Sequence, residues 1–588
     1  VNGQPLLRLL RVYGLRHSAS YLGGGAALFL TNLLSVEIPV QIGAAIDQGA
    51  GSAGPHILAV AGMGVGVIAV RTLSRVLIFN PGRDVERDLR ADLFRFLLRQ
   101  QPTAYATRTT GDLISRATND ITYVRALVGY GLMAALNVVM AVGLTGWKML
   151  SLSPLLTLAA VAPVLVGLVV VRWGIGEIHR LSRQSAEQLG ALSEHVLSSF
   201  QGVATIQGFV AERAFLQRFD DSAEALFATR MRSSIVGSLA FPALALAGSV
   251  SVFMVLYVGG PLAVRGDLSV GEVAAFTTLL GVLLPPLRSL GWMLSVLQTG
   301  IASLTRIFEV LDTPIDRPEG AQPQPIAAGA PGFSLHNLSF AYPDAPDHPV
   351  LEGISVEIPP GSVVGVFGQT GSGKSTLLRL LSRLYNPPEG AVTLLGRDGS
   401  RRDLRSVDLD AWRGRLAMAP QRPFLFSDTI RENVALTDPI DEASVQRAVD
   451  IAALGPDLAA LSGGLDTVVG ERGVMLSGGQ RQRVALARAL SRPADLVLLD
   501  DVLSAVDHHT EARLVETLSA LADSDGGRPT QVIVSHRVSA IRHADIVLVL
   551  HQGRLVDQGR PAELLARPGP FLEAALAQTP KDDVEVAR

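Results

Sequence analysis

Apolar residues dominate positions 20–300 of the chain, and charged residues become frequent only after about position 310. Crossing a bilayer takes roughly 20 mostly apolar residues. Six runs meet that length, at about 20–46, 56–80, 130–151, 154–174, 235–260 and 270–296. The first and second, third and fourth, and fifth and sixth runs are joined by short loops almost free of Lys and Arg, Arg265 being the exception. Long connections rich in arginine join the second run to the third (Arg83, Arg87, Arg90, Arg95, Arg99, Arg108, Arg116, Arg125) and the fourth to the fifth (Arg180, Arg183, Arg213, Arg218, Arg230, Arg232). Basic residues concentrate on the cytoplasmic side of membrane proteins. These connections, and the N-terminal stretch with Arg8, Arg11 and Arg16, are therefore expected in the cytoplasm, where six crossings also return the chain.

The long connections contain few prolines between Asp84 and Gln100 and between Ile178 and Phe219, and these stretches read as helices continuing out of the membrane. Residues 110–116 and 202–207 are either crosswise elements that touch a soluble half or ordinary helical turns. Glu37, Gln41, Arg71, Lys148 and Arg288 are polar residues in or near the runs. Ionisable groups at membrane depth face a bundle interior or a water-filled cavity. Glu37 and Arg288 are the cavity candidates, with a helix–helix ion pair as the alternative role. Lys148 and Arg71 have stems long enough to reach an interface. Pro39, Pro163, Pro242, Pro285 and Pro286 lack an N–H and can kink their helices.

The pattern divides the chain into a six-span helical domain over 1–312, a Pro/Ala/Gly-rich linker over 313–331 and a soluble domain over 332–580. A charged tail, 581–588, is expected to be disordered. In the soluble part the buried-strand run 363–367 leads into Gly368-Gln369-Thr370-Gly371-Ser372-Gly373-Lys374-Ser375, and a helical run opens at Thr376. Glycines let backbone N–H groups turn onto phosphate oxygens, and the following helix N-terminus adds favourable partial charge. In such a loop the lysine neutralises β/γ-phosphates and the serine ligates Mg²⁺. A second apolar strand, 496–499, ends in Asp500, the position from which an NTPase of this kind holds its Mg²⁺.

Length and composition agree with this division. At 588 residues the chain exceeds one compact core. Hydrophobic residues make up 48% and charged residues 18%. The net charge of −3 gives no sign of nucleic-acid binding. Cysteine is absent, which excludes disulfides, thiolate metal sites and Cys nucleophiles. The first twenty residues are polar and basic, so no removable secretory signal is expected.

Leu476-Ser477-Gly478-Gly479-Gln480 is a second Gly-rich turn opening a helix, and thus a second anion-binding helix N-terminus. Two such sites for one nucleotide make sense if two domains sandwich it, each offering its second loop to the other's first. With Asp500, Gln421 and His536, this arrangement resembles the ATP-binding cassette (ABC) transporters. The six preceding runs resemble the exporter-type half-transporters. The resemblance implies a six-span α-helical domain followed by an α/β P-loop cassette, in a multi-pass protein of the bacterial plasma (inner) membrane with N-terminus and cassette cytoplasmic. It implies ATP and Mg²⁺ at the site, and lipid and an amphipathic substrate as membrane partners. Tyr342 matches the aromatic that stacks on adenine, and Gln421 the residue that senses Mg²⁺ and water. His536 matches the γ-phosphate switch, and Ser477, Gly478, Gly479 and Gln480 the motif acting in trans on a partner's ATP. Residues 470–473 match a loop contacting helices of the membrane domain, and 504–507 a loop along the dimer interface. The same resemblance makes residues 110–116 and 202–207 coupling elements.

One position departs from the pattern. Asp501 stands where the family carries the glutamate that reaches the attacking water. Losing one CH₂ withdraws the carboxylate by about an ångström, and misplacement of that size costs on the order of 10²-fold in rate. The resemblance therefore implies the degenerate-site half of a heterodimer whose partner half-transporter carries Glu at the equivalent position. A homodimeric exporter with slow ATPase, an exporter-fold importer and an ATP-gated channel are the alternatives.

Overall fold

In the computed structural model, residues 5–49, 51–106, 108–317, 323–437, 439–470, 476–502, 510–511, 513–514, 516–517 and 528–578 are described. Residues 471–473, 504–507 and 581–588, given roles above, lie outside them. The chain forms two compact units, Val1–Leu98 with Gly111–Thr313, and Arg99–Thr110 with Pro314–Arg588.

The first unit is built from six long helices, each with a stretch apolar enough to cross a membrane. They are α1 (Ser18–Gln48), α2 (Gly54–Arg99), α3 (Thr110–Leu152), α4 (Pro154–Gln201), α5 (Glu212–Arg265) and α6 (Val270–Leu311). All six extend beyond the apolar runs, because polar helical sequence continues at their ends, and the prolines lie inside them without ending them. Small residues let the helix backbones approach, as expected where lipid removes the hydrophobic drive between helices. A Cβ on Gly167 or Gly174 of α4 would lie 2.7 or 2.3 Å from the Cβ of Ala247 or Ala240 on α5. Gly43 of α1 abuts Gly271 of α6, where an added Cβ would lie 2.4 Å from the Gly271 carbonyl oxygen. Beside that contact, the Asp47 carboxylate accepts hydrogen bonds from Ser269 Oγ (2.6 Å) and Gly271 N–H (2.7 Å) at the start of α6. At the other end of α6, Arg306 grips the buried Asp120 carboxylate through two nitrogens, at 2.9 and 2.5 Å.

The helical unit changes two readings. Lys148 does not lie alone with its stem toward an interface: its Nζ is 3.2 Å from Glu37 Oε2, joining α3 to α1. Gln41 donates to Glu37 Oε1 at 3.4 Å and pairs with His56 Nδ1 at 2.8 Å. Residues 110–116 do not cross the helices either, since Thr110 opens α3. The break comes earlier: α2 ends at Arg99 and a separate helix runs Pro102–Ala106. Proline is suited to open a helix and disfavours helical backbone in the residue before it. The buried Gln101 donates to the Asp316 carbonyl at 2.7 Å and to Asn386 Oδ1 at 3.4 Å, holding this segment in the second unit. The 202–207 reading keeps a short helix of its own, Val203–Gly208.

The second unit contains two sheets. β1 (Gly332–Ala341), β2 (Pro349–Ile358), β4 (Val392–Leu395) and β5 (Arg401–Asp403) form an antiparallel sheet in the order β2-β1-β4-β5. The larger sheet has the order β10-β9-β3-β8-β7-β6, from β3 (Val363–Gly368), β6 (Leu416–Ala419), β7 (Leu496–Asp500), β8 (Thr530–Ser535), β9 (Ile546–His551) and β10 (Arg554–Gly559). All its pairings are parallel except β9 with β10. Alternate residues of each strand point to opposite faces. Val363, Phe367, Val497, Leu499 and Ile533 enter one core with α8 (Gly478–Leu490). Val364, Val366, Leu496, Leu498, Val532 and Val534 enter a second with α7 (Lys374–Leu381) and the antiparallel sheet. Burial on both faces is what makes these strands continuous apolar runs in the sequence. The described linker residues lie along this unit: Arg402 donates to the Pro325 carbonyl (2.6 Å), and Arg415 to those of Ala327 (2.5 Å) and Gly329 (2.8 Å).

Candidate nucleotide site

The C-terminal ends of β3, β7 and β8 converge on a cavity of about 170 Å³ lined by Thr370 to Thr376, Gln421, Asp500, Asp501, Val534 and His536. Parallel α/β sheets place ligands at this end of their strands. The phosphate loop leaves β3 at Gly368, where an added Cβ would sit 2.3 Å from the Leu550 carbonyl oxygen. It reaches α7 through Gly373 at φ +96°, where an added Cβ would fall 2.4 Å from Leu351. No side chain fits either place, which is the physical content of the glycine spacing.

Within the loop, the Lys374 ammonium donates to the carbonyls of Gly368 (2.7 Å) and Gln369 (2.8 Å). Burial pushes its pKa down, against the carboxylates Asp501 and Asp500, which favour the charge. Ser375 Oγ donates to Asp500 Oδ1 at 2.9 Å. Burial raises the pKa of Asp500, opposed by that hydrogen bond, by Arg379 and by the backbone of Gln421. The Ser372 hydroxyl is buried and has no hydrogen-bond partner among the described residues. These features suit a phosphate chain with a divalent ion: a lysine facing in, an unsatisfied hydroxyl, and two oxygen ligands of the kind Mg²⁺ takes, side by side.

Asp501 is turned away from its strand. It has φ +51°, a region that Asp tolerates better than most residues, and its N–H donates to the Val534 carbonyl at 3.0 Å. Asp501 is 8% exposed, with both carboxylate oxygens near His536 Nδ1, at 3.1 and 3.2 Å. Tyr342 does not line the cavity but adjoins it, its hydroxyl 2.9 Å from Thr376 Oγ1 and accepting from Arg379 at 2.9 Å.

Ser477, Gly478, Gly479 and Gln480 are likewise absent from the lining of this chain's own cavity. They open α8 through a reciprocal cap: Ser477 Oγ accepts from Gln480 N–H (3.2 Å), and Gln480 Oε1 from Ser477 N–H (2.8 Å). The sequence reading missed Asp457, which accepts from Gln480 Nε2 at 3.1 Å and pairs with Arg483 at 2.7 Å. It lies 23 residues from Gln480, in the first turn of a short helix, Gly455–Ala460. Of the cavity candidates in the helices, Glu37 is the ion-paired residue described above. Arg288 is exposed on α6 and makes no ion pair among the described residues.

Comparison with known proteins agrees with this geometry. Residues 21–287 match the ABC transporter transmembrane region, and residues 351–504 match the ABC transporter family. The chain is 32% identical, over 99% of both chains, to the multidrug resistance-like ATP-binding protein MdlA of Escherichia coli (strain K12). It is 34% identical to an ATP-dependent lipid A-core flippase of Pseudomonas fluorescens, over 82% of this chain and 78% of the flippase. A solved bacterial Atm1-family ABC exporter with ATP bound superposes with a TM-score of 0.79 at 27% identity, covering 97% of this chain and 99% of that one. Six membrane-length helices, a cassette whose phosphate loop, Asp500 and His536 meet in one cavity, and full-length relatives together place the chain in the ABC transporter family, as an exporter-type fusion of transmembrane region and ATP-binding cassette.

Proposed function

We propose that this chain is one half of a heterodimeric exporter, anchored in the bacterial plasma membrane with its cassette in the cytoplasm, and that it carries the weaker of two ATP sites. Asp501 carries this reading. It replaces the longer carboxylate expected to reach the attacking water, while every neighbouring motif is intact. Lys374 and the loop N–H groups hold the β- and γ-phosphates, Tyr342 stacks on adenine, and His536 contacts the γ-phosphate. Ser375, Gln421 and Asp500 would hold Mg²⁺, which would neutralise phosphate charge. Ser477 to Gln480 complete the partner's site, where a glutamate stands and most hydrolysis occurs. ATP binding then biases the pair toward an outward-open state, and hydrolysis resets it. The cargo is an amphipathic small molecule, peptide or lipid, in line with the multidrug and lipid A names of the relatives.

Two measurements test the reading. Mass identification of what co-purifies with the chain should find a second half-transporter with Glu at the matching position. Asp501→Glu should raise turnover at this site by on the order of 10-fold or more. A purified single chain that dimerises, hydrolyses ATP briskly and drives transport would sink the proposal. One observation favours a homodimeric exporter instead. The Asp501–His536 contact keeps a carboxylate and an imidazole together beside the phosphate loop, which a slow but working site also needs.

A further inference from the structure

The C-terminal helix α9 (Pro570–Gln578) bridges the phosphate-loop strand and the loop that carries His536. At its start, Phe571 is 1% exposed and packs edge-on against Phe367, ring centroids 5.2 Å apart at 89°. Phe367 immediately precedes Gly368, the first residue of the phosphate loop. Two helical turns later, the Gln578 side chain meets backbone on both sides of Arg537. Its Nε2 donates to the His536 carbonyl at 2.8 Å, and its Oε1 accepts from the Val538 N–H at 2.9 Å.

β8 ends at Ser535, so the polar groups of residues 536–538 no longer have a strand to bond to. A primary amide satisfies a carbonyl and an N–H two residues apart with one planar group. Glutamate lacks the donor, and asparagine is one CH₂ shorter. From the other side, the buried Glu511 accepts from Arg537 NH1 and from Ser539 Oγ, each at 2.5 Å. The Arg537 N–H also donates to Ser535 Oγ at 2.9 Å. The His536 segment is thus held by Gln578 at its backbone and by Glu511 through the side chains of Arg537 and Ser539, while the imidazole stays half-exposed, facing Asp501.

We propose that Gln578 is a positioning residue for His536, so that the C-terminal helix is part of the device that tells ATP from ADP. This rests on the reading above that His536 contacts the γ-phosphate. Without the amide, the 536 carbonyl and 538 N–H turn to water and the imidazole spends less time in place. The loss falls on nucleotides that carry a γ-phosphate and spares those that do not.

The test is equilibrium binding of MgADP and of the non-hydrolysed analogue MgAMPPNP to the full chain in lipid nanodiscs. It requires no turnover. Gln578→Ala should weaken MgAMPPNP by about three- to tenfold, the range of one or two hydrogen bonds, and leave MgADP and the thermal midpoint unchanged. Gln578→Glu, which sets a second carboxylate oxygen against the His536 carbonyl, should weaken MgAMPPNP at least as far as Ala. In a His536→Ala background, Gln578→Ala should add nothing further. Equal weakening of both nucleotides, or an undiminished effect in the His536→Ala background, would show a merely structural role and overturn the proposal. So would unchanged MgAMPPNP binding in Gln578→Ala when His536→Ala alone weakens it. If His536→Ala leaves the preference for MgAMPPNP intact, the γ-phosphate reading of His536 fails and the proposal fails with it.

Discussion

α2 and α6 show how loosely hydropathy tracks burial in the helical half of this chain, and the cassette strands show the opposite. The most apolar 18-residue window of α2 has mean hydropathy 1.9 but is only 6% buried, whereas that of α6 has mean hydropathy 1.6 and is 50% buried. The less apolar helix is the more enclosed. Lipid tails are as apolar as leucine, so in the helical half hydrophobicity selects the membrane and says little about which face meets another helix. In the cassette the surrounding medium is water. Every residue of β3, β7 and β8 is buried, and the apolar run in the sequence is itself the core. Small residues and polar pairs specify packing in the first half, and hydrophobic burial does so in the second.

The largest expected effect comes from removing chemistry at the cassette. Lys374→Ala takes the facing cation from the phosphate loop and should weaken MgATP binding by about 10²-fold, from the loss of charge-assisted hydrogen bonds. Lys374 is bonded to loop carbonyls rather than packed in a core, so the thermal transition should barely move. A large loss of stability would contradict the separation of site from core.

Gly174→Leu addresses the helical half. An added Cβ already falls 2.3 Å from Ala240 Cβ, so the larger side chain must push α4 from α5. Overpacking of this kind costs about 1–3 kcal/mol. Thermal inactivation in detergent should move down by the corresponding amount, with nucleotide affinity preserved. Val166→Leu on the same helix, at an exposed position, serves as the control and should be silent. Equal behaviour of the two variants would mean that small residues do not specify this contact.

The smallest effect concerns Glu37 and Lys148. Glu37→Gln leaves the lysine without its carboxylate within a span. It should destabilise more than the double variant Glu37→Gln with Lys148→Met, by about 1 kcal/mol. Both side chains are partly accessible, at 36% and 22%, which keeps the coupling modest. Additive effects would show that the pair is incidental and return Glu37 to the role of a cavity residue.

The phosphate loop was legible because Gly368 to Ser375 are contiguous, although the close neighbours that exclude a side chain at Gly368 and Gly373, Leu550 and Leu351, are remote in sequence. Asp500 was legible as the end of a buried apolar run. The contact of Asp501 with His536 joins residues 35 apart, and the Gln578 contact with the His536 carbonyl spans 42. No local pattern announces either. The end of α2 at Arg99 agrees with a helical stretch read as far as Gln100, whereas the bonds of Gln101 to Asp316 and Asn386 join residues 215 and 285 apart and have no local cue.

Patterns of short range in the chain suffice for six membrane-length helices, a strand–loop–helix for phosphate, a cap for α8 and an aspartate where a glutamate is expected. Each arises from sterics, hydrogen bonding or hydropathy within a few neighbouring residues. Which helix faces touch, that Lys148 meets Glu37, that residues 99–110 fold with the cassette, and that the last helix grips the loop of His536 depend on segments far apart in sequence. Those contacts exist only once packing brings the segments together, and the sterics of that packing choose among the many partners that local pattern leaves open.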